Sequence, residues 1–303
     1  MKRFSILALL LNTLLLPSQT LKGIVLDSIS HETLPYASLV IKNKNNGVYS
    51  NEDGTYNFNI PKASAKDTLI ISLIGYYNKK IAVTHILDRT QEDLNIQMLP
   101  KVESLDEVLI NNTQRTFRNN KIKLSTGNRK QVFPSSVPFG YETATLMENP
   151  KHKKGKLVKL HLKLKDSSID IYETYQTYYR IAFYNIDSLG FPGDLLHFEN
   201  IIVKPEIHEK NYAIDLEDKG IPFTKKGIFI GIETVKPNYI TLKSSMYVTT
   251  PNILHTHTKH RLKYSRFRSN DWVKHSKKSV HKEKLYAVPF IKIEMVYEKE
   301  KTK

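Results

Sequence analysis

The chain has 303 residues, is 40% hydrophobic and carries a formal charge of +16, enough length for one large buried core or two ordinary ones. It has no cysteine, which excludes disulfide staples, thiolate metal sites, thiol catalysis and lipid attachment to an N-terminal cysteine. The charge is lopsided, with 9 Lys/Arg against 11 Asp/Glu in residues 21–110 and 35 against 19 in residues 111–303, so the two parts suit different surroundings.

Lys2 and Arg3 precede the mostly apolar run Phe4 to Leu16, and helix-breaking Pro17 comes next. A charged start, a core too short to span a bilayer comfortably and small residues in Ser18-Gln19-Thr20 read as a secretory signal, residues 1–20, cut after Thr20. An uncleaved anchor is the alternative reading of the same run. No later segment is long and apolar enough to cross a membrane as a helix, so the mature chain is expected in the periplasm or at the outer membrane or cell surface, peripheral to a membrane at most. Nucleic acid is the usual partner of so basic a half, but export argues against it and favours an envelope protein, an anionic glycan or lipid headgroups.

From Leu21 the sequence predicts short strands: Leu21 to Leu26, Tyr36 to Lys42, Thr55 to Ile60, Thr68 to Ile74, Lys80 to Val83, Leu94 to Leu99 and Glu107 to Ile110. Their even spacing, with no long helical period between them, points to an antiparallel sandwich. Turn chemistry separates them: Asn46-Gly47 and Asp53-Gly54 are expected to supply positive backbone dihedrals, with Gly75 as a further turn position. Tyr56, Phe58 and Ile60 alternate with Thr55, Asn57 and Asn59, as in a strand with one face on a core. Asn51-Glu52-Asp53 reads as a turn whose polar side chains cap backbone amides; a calcium loop is the functional alternative, but it draws on more carboxylates than Glu52 and Asp53.

These features resemble the carboxypeptidase-regulatory-like domain, common in exported proteins of Bacteroidetes. The residues that carry the resemblance are Gly23-Ile24-Val25-Leu26-Asp27, Leu34-Pro35-Tyr36-Ala37-Ser38-Leu39-Val40, Gly47 with Ser50-Asn51-Glu52-Asp53-Gly54-Thr55-Tyr56, and Leu73-Ile74-Gly75-Tyr76. The resemblance covers residues 21–110 and implies a transthyretin-like (prealbumin-like) seven-stranded β-sandwich. Leu105-Asp106-Glu107-Val108-Leu109-Ile110 looks like the segment that ends this domain in TonB-dependent outer-membrane transporters, but the residues beyond it are too few for a plug and a barrel. The module accompanies many activities, so it implies a fold rather than a function.

Residues 111–135 are polar and basic and read as a linker before a domain at 136–303. There the strand pattern returns: Lys156 to Leu164, with an imperfect register around Val158, Tyr178 to Tyr184, Gly227 to Glu233 and Phe290 to Tyr297. With the loop Gly190-Phe191-Pro192-Gly193-Asp194, these predict a second, jelly-roll-like β-sandwich and an all-β chain. The series Tyr179 to Tyr184, Gly190 to Leu196, Tyr212 to Leu216 and Gly227 to Glu233 looks like a β-sandwich found behind the regulatory-like module in exported Bacteroidetes proteins, and this likeness implies no activity.

Catalytic motifs are absent: no His-x-x-Glu pair of the carboxypeptidase kind, no His-Glu-x-x-His, no Gly-x-Ser-x-Gly elbow and no phosphate-binding glycine loop. A non-catalytic protein with no cofactor is therefore expected, with an accessory subunit or hydrolase of a peptidase or outer-membrane uptake system as the alternative. His255, His257 and His260 could bring imidazoles together on a strand, but Lys259, Arg261 and Lys263 oppose a cation, and a solvated strand or loop is expected. The candidate ligand-binding set is the basic stretch Lys259, Arg261, Lys263, Tyr264, Arg266, Arg268, Trp272, Lys274, Lys277 and Lys278, whose cations would grip an anionic glycan, headgroup or protein while its rings stack on sugars. The alternative is a solubilising loop whose aromatics anchor to the sandwich. Tyr172, Tyr175, Tyr178, Tyr179 and Tyr184 form a further aromatic group, in which alternation puts Tyr178 and Tyr184 on one face and Tyr179 on the other.

Overall fold

The computed structural model describes residues 19–60, 66–87, 93–101, 116–127, 132–280 and 283–299, and the chain divides into two compact units, 1–101 and 102–303. The proposed signal up to Ser18 and the predicted strand Glu107 to Ile110 lie outside the described residues.

The first unit contains β1 (Gln19–Asp27), β2 (Ser38–Ile41), β3 (Gly47–Tyr49), β4 (Thr55–Ile60), β5 (Thr68–Ser72), β6 (Lys79–Ala82), the short helix α1 (Val83–Leu87) and β7 (Ile96–Met98). One sheet runs β4-β1-β7 and the other β3-β2-β5-β6. Val25, Phe58, Ile60 and Ile96 from the first meet Leu39, Ile41, Leu69 and Ile71 from the second in a closed apolar core. Tyr56, Phe58 and Ile60 face that core while Asn57 and Asn59 face water, so the period-two pattern of β4 sets which side of the strand is wet. Ser50, also buried, ties the loop before β2 to the end of β3: its Oγ donates to Leu34 O at 2.7 Å and accepts from Ala37 N at 2.8 Å.

The glycine turns divide into two kinds. Gly54 and Gly75 adopt the expected positive φ, 78° and 86°. Gly47 does not: it opens β3 opposite Val40, and the reversal is made by Asn43 at φ 58°, since a short polar side chain also tolerates the left-handed region. Asn51-Glu52-Asp53 is occupied with its own loop. Asp53 Oδ1 accepts from Thr55 N at 3.0 Å and Thr55 Oγ1 at 2.7 Å, Asn51 O accepts from Gly54 N at 3.0 Å, and Glu52 Oε1 accepts from Tyr36 OH at 2.7 Å.

The second unit opens with β8 (Ile122–Ser125), β9 (Val132–Pro134), β10 (Tyr141–Glu148), β11 (Gly155–Lys165), β12 (Glu173–Gln176), β13 (Tyr178–Ile186), β14 (Pro192–Leu195), β15 (Ile201–Val203), β16 (Asn211–Asp215) and β17 (Pro222–Phe223). It continues with β18 (Gly227–Val235), β19 (Tyr247–Thr250), β20 (Asn252–Thr258), β21 (Lys263–Phe267), β22 (Val273–Lys274), β23 (Lys278–Val280), β24 (Glu283–Pro289) and β25 (Ile291–Tyr297). One large sheet runs β14-β13-β18-β10-β21-β22 with β15 also on β13; another runs β23-β24-β20-β11-β25-β8, with β16 and β17 on β11 and β9 on β20; β12 and β19 form a separate parallel pair. The chain changes sheet between β10 and β11, β11 and β13, β15 and β16, β17 and β18, β18 and β20, β20 and β21, and β22 and β23, so the two large sheets are interleaved along the chain as in a β-sandwich. Leu157, Leu160 and Leu162 of β11 and Ile291, Ile293 and Met295 of β25 pack against Ile181 and Phe183 of β13 and Ile228, Ile230 and Ile232 of β18.

The irregular register around Val158 is a β-bulge: pairing with β25 shifts between Leu157 and Lys159, which lets both Leu157 and Leu160 reach the core. The stretch read as a linker is different from expectation. Its described part holds β8, paired to β25, and β9, paired to β20. Ile122 and Leu124 pack against the core while Lys123 and Ser125 point outward, so this is an edge strand too short and too basic for its period to stand out.

Candidate functional site

The basic stretch 259–278 is not one loop but β21, β22 and the start of β23, and strand alternation divides its side chains between environments. On the face of the seven-stranded sheet turned away from the core, Arg180, Glu233, Glu142 and Arg266 are register neighbours on β13, β18, β10 and β21. Arg180 Nη1 donates to Glu233 Oε2 at 2.7 Å and Arg180 Nε to Asn200 Oδ1 at 2.9 Å. Arg266 Nε donates to Glu142 Oε2 at 2.8 Å, and Arg266 Nη2 lies 2.7 Å from the same oxygen and donates to Tyr184 OH at 2.9 Å. Tyr184 OH in turn donates to Glu142 Oε1 at 2.7 Å. Burial, then the neighbouring Glu142, pushes the Tyr184 phenol well above its ordinary value, so it stays a donor. Trp272 covers this row, its ring centroid 4.0 Å from the Arg266 guanidinium and 5.7 Å from the Tyr184 ring. Gly231 makes room for it, because a Cβ there would stand 2.3 Å from Glu142 Oε1.

This row corrects part of the ligand-binding expectation. Tyr264 is buried against Phe191 and Phe229, 4.9 and 5.5 Å between centroids, and Arg268 is buried at φ 51°. Arg266 is committed to Glu142. Alternation in β21 turns Tyr264 and Arg266 to one face and Lys263 and Ser265 to the other, so no single surface can carry them all. Lys263 is half-buried.

The exposed remainder lies close together in the chain. Lys274, Lys277 and Lys278 are exposed on and between β22 and β23; Lys284 of β24 is also exposed, opposite Ser279 and so on the other face of that ladder from Lys278. Among the described residues none of these four makes an ion pair, whereas Lys259 lies 3.4 Å from Glu283. The nearby rings are already engaged: Lys274 Nζ sits 4.4 Å from the Phe191 centroid, Lys277 Nζ 5.4 Å from that of Tyr286, and Arg261 Nε donates to Tyr286 OH at 3.3 Å. Glu142, Glu233 and Tyr286 are absent from the expected set, since their importance comes from cross-strand register; the mid-strand carboxylate in Tyr141-Glu142-Thr143-Ala144 is the one local hint.

The histidine stretch is a strand as far as Thr258, but not the solvated strand or loop expected. His255 is 4% exposed within β20, Thr256 is fully buried, and His257 stacks on Phe133 at 4.6 Å; His260 alone of the three histidines is exposed. Burial, then Lys263, lowers the His255 pKa to about 4, so it is neutral at pH 7. A cavity of ≈ 20 Å³, room for about one water, lies between Thr143, Thr234 and His255.

Of the tyrosines, Tyr179 is buried and donates to Pro251 O at 2.7 Å, Tyr178 lies under Lys204, and Tyr175 packs edge-on to Tyr247, so they form no common platform. A cleft of ≈ 510 Å³ opens at the Lys165 end of β11, lined by Lys163, Lys165, Lys210, Asp166 and His208 among others. His208 Nδ1 lies 2.6 Å from Asp166 Oδ2, and His208 N also donates to Asp166 Oδ1 at 3.3 Å. The pair ties the loop before β16 to the end of β11, and Thr250 Oγ1 lies 3.5 Å from the same Asp166 Oδ1.

Residues 21–110 match the family model described as CarboxypepD_reg-like domain, and the first unit therefore carries that domain, a non-catalytic β-sandwich. No curated protein matches the chain. A solved structure, "Structure of infectious bursal disease virus Gx strain", aligns at 10% identity and a TM-score of 0.24, over 92% of this chain and 64% of that one. The chain thus spans less than two thirds of that structure's length, and a likeness of that size bears on neither fold nor function.

Proposed function

We propose that the chain is an exported, non-catalytic envelope protein in which the CarboxypepD_reg-like sandwich is a structural or docking unit and the basic sandwich holds an acidic protein partner. The carrying observation is a set of exposed cations without carboxylate partners among the described residues, two of which, Lys274 and Lys277, themselves lie over the neighbouring rings. Lys274, Lys277, Lys278 and Lys284 are exposed without ion pairs among the described residues, while the rings between them are covered by the protein's own cations. A sugar platform needs open ring faces; a cluster of ammonium groups selects carboxylates by charge. An anionic glycan is the second reading, favoured by the half-exposed Trp272.

The test titrates residues 21–303 with polyglutamate, a sulfated polysaccharide and vesicles carrying anionic headgroups, at low and high salt. The expected result is polyglutamate binding that weakens steeply with salt and is lost in a Lys274→Gln, Lys277→Gln, Lys278→Gln triple variant. Binding confined to the polysaccharide would move the reading to the glycan, and binding confined to vesicles would move it to a lipid surface. Absence of salt-sensitive binding to all three would overturn it. Export is checked by cell fractionation and the mass of the mature N-terminus; an uncut chain in the cytosol would refute it.

A further inference from the structure

We infer that the second unit contains an internal oxyanion site, for a phosphate, sulfate or carboxylate group, built by Lys263, Ser265, Thr145, His275 and Lys278. Lys263 and Ser265 stand opposite Thr145 and Thr143 of β10, on the face that looks into the sandwich. Thr143 lines the same cavity as Ile232 of one sheet and Ile253 and His255 of the other, which places this face between the two sheets.

The site lacks a partner in two respects. Thr145 is fully buried, yet its Oγ1 has no hydrogen-bond partner among the described residues. Such an orphaned hydroxyl is destabilising and calls for an explanation. The charges around it share one sign. Lys278, exposed at the edge, and Lys263 repel each other and both disfavour a charge on His275, and Lys263 disfavours one on His255 in the other sheet. His275 Nε2 lies 2.7 Å from Ser265 Oγ, which ties the imidazole to the same wall. Among the described residues no carboxylate pairs with Lys263, Lys278 or His275, although a half-buried ammonium is costly without a counter-charge.

The same strand shows how a cation is otherwise neutralised. On the opposite face, Arg266 is paired with Glu142 and hydrogen-bonded to Tyr184. On the inner face the cations are present and the described chain supplies no anion. One oxyanion there would offset Lys263 and Lys278 by charge and accept hydrogen bonds from Thr145 Oγ1 and the Ser265–His275 pair.

The internal site shares Lys278 with the exposed acidic-partner face but does not rest on that reading. Lys278 belongs to both, but Lys263 and Thr145 take no part in the exposed face, and Lys274 and Lys277 take none here. The experiment measures thermal unfolding of residues 21–303 against inorganic phosphate, sulfate and acetate, with sodium chloride at matched ionic strength as reference, alongside calorimetric titration with phosphate. Specific binding gives a saturable rise in Tm, whereas general salting-out gives one that keeps growing with concentration. The expected result is saturable stabilisation by at least one of the three anions, abolished in Lys263→Met, weakened about tenfold in affinity in Thr145→Val, and kept in Lys274→Gln. Without anion, Lys263→Met should be at least as stable as the parent. Should Lys263→Met fail to fold, Thr145→Val carries the test, since it exchanges a hydroxyl for a methyl group in the same space.

No rise with any anion, or a rise equal in the parent and the variants, would overturn the proposal and would leave polyglutamate binding to the exposed lysines untouched. Comparison of inorganic phosphate with a sugar monophosphate separates the sources of the group. Tighter binding of the sugar ester assigns the site to a group carried on a larger ligand, and equal binding assigns it to the free anion.

Discussion

His255 is a basic side chain that the fold keeps from being basic. It sits in β20 with its Nδ1 3.1 Å from Ile253 O, faces Thr143 and Thr234 across a small cavity, and has Lys263 and His257 as charged or chargeable neighbours. Burial and then Lys263 hold its pKa at about 4 against 6.5 for an ordinary imidazole. Between pH 6.5 and 4 the unfolded chain binds a proton at this residue and the folded chain does not, so stability is intact above about 6.5 and falls as the pH drops through that window. The gap amounts to about 3 kcal/mol at most. Denaturant unfolding of the parent should therefore weaken between pH 6.5 and 4 more than that of His255→Gln. Equal slopes in the two proteins would show that His255 does not carry this part of the pH dependence. In the sequence, His255 reads as a potential ligand or surface group because a string of histidines among lysines looks solvated; only the pairing of β20 with β24 and β9 puts it inside.

At the scale of elements, edge strand β8 does more than extend a sheet. Thr126, just past its end, donates from Oγ1 to Pro289 O at 2.6 Å and accepts from Ile291 N at 3.0 Å, bridging the corner between β24 and β25. Thr126 is buried, so Thr126→Val strands one backbone carbonyl and one N–H away from water. The expected cost is about 1–3 kcal/mol, read as a lower urea midpoint at unchanged slope. A change within error would mean that water or neighbouring backbone replaces the hydroxyl. Strands such as β4, β11 and β18 are legible because apolar residues recur at every second position for long enough to outweigh chance, and even the Val158 bulge leaves a trace in that period. β8, β9 and β10 are not: the first two are short and basic or proline-bounded, and β10 breaks its apolar period with Glu142 on one face, paired to Arg266 of β21, and with Thr143 and Thr145 on the other. The candidate site is harder still. A run of cations is visible in the sequence, but which of them meets Glu142, which meets water and which turns inward depends on one residue of register in β21.

At the scale of the whole molecule, the apolar core of residues 21–98 and that of residues 147–297 are each closed within their own unit. Composition alone suggests this division, because the acidic balance of residues 21–110 gives way to a strong basic excess beyond them. The physical consequence is that damage to one core should not propagate as lost stability in the other. Ser50→Ala removes the hydroxyl that serves Leu34 O and Ala37 N in the first unit, at an expected cost of about 1–3 kcal/mol. Glu142→Gln leaves the Arg266 guanidinium in the second unit without its counter-charge, at an expected cost of about 3 kcal/mol. Calorimetry of residues 21–303 should resolve two unfolding transitions, with Ser50→Ala lowering only one and Glu142→Gln only the other. The basic unit should also be the one whose transition rises when ionic strength screens its excess of like charge. A single transition lowered by both substitutions would show instead that the two cores unfold as one cooperative body, and the charge boundary near residue 110 would then mark a change of surface without a change of folding unit.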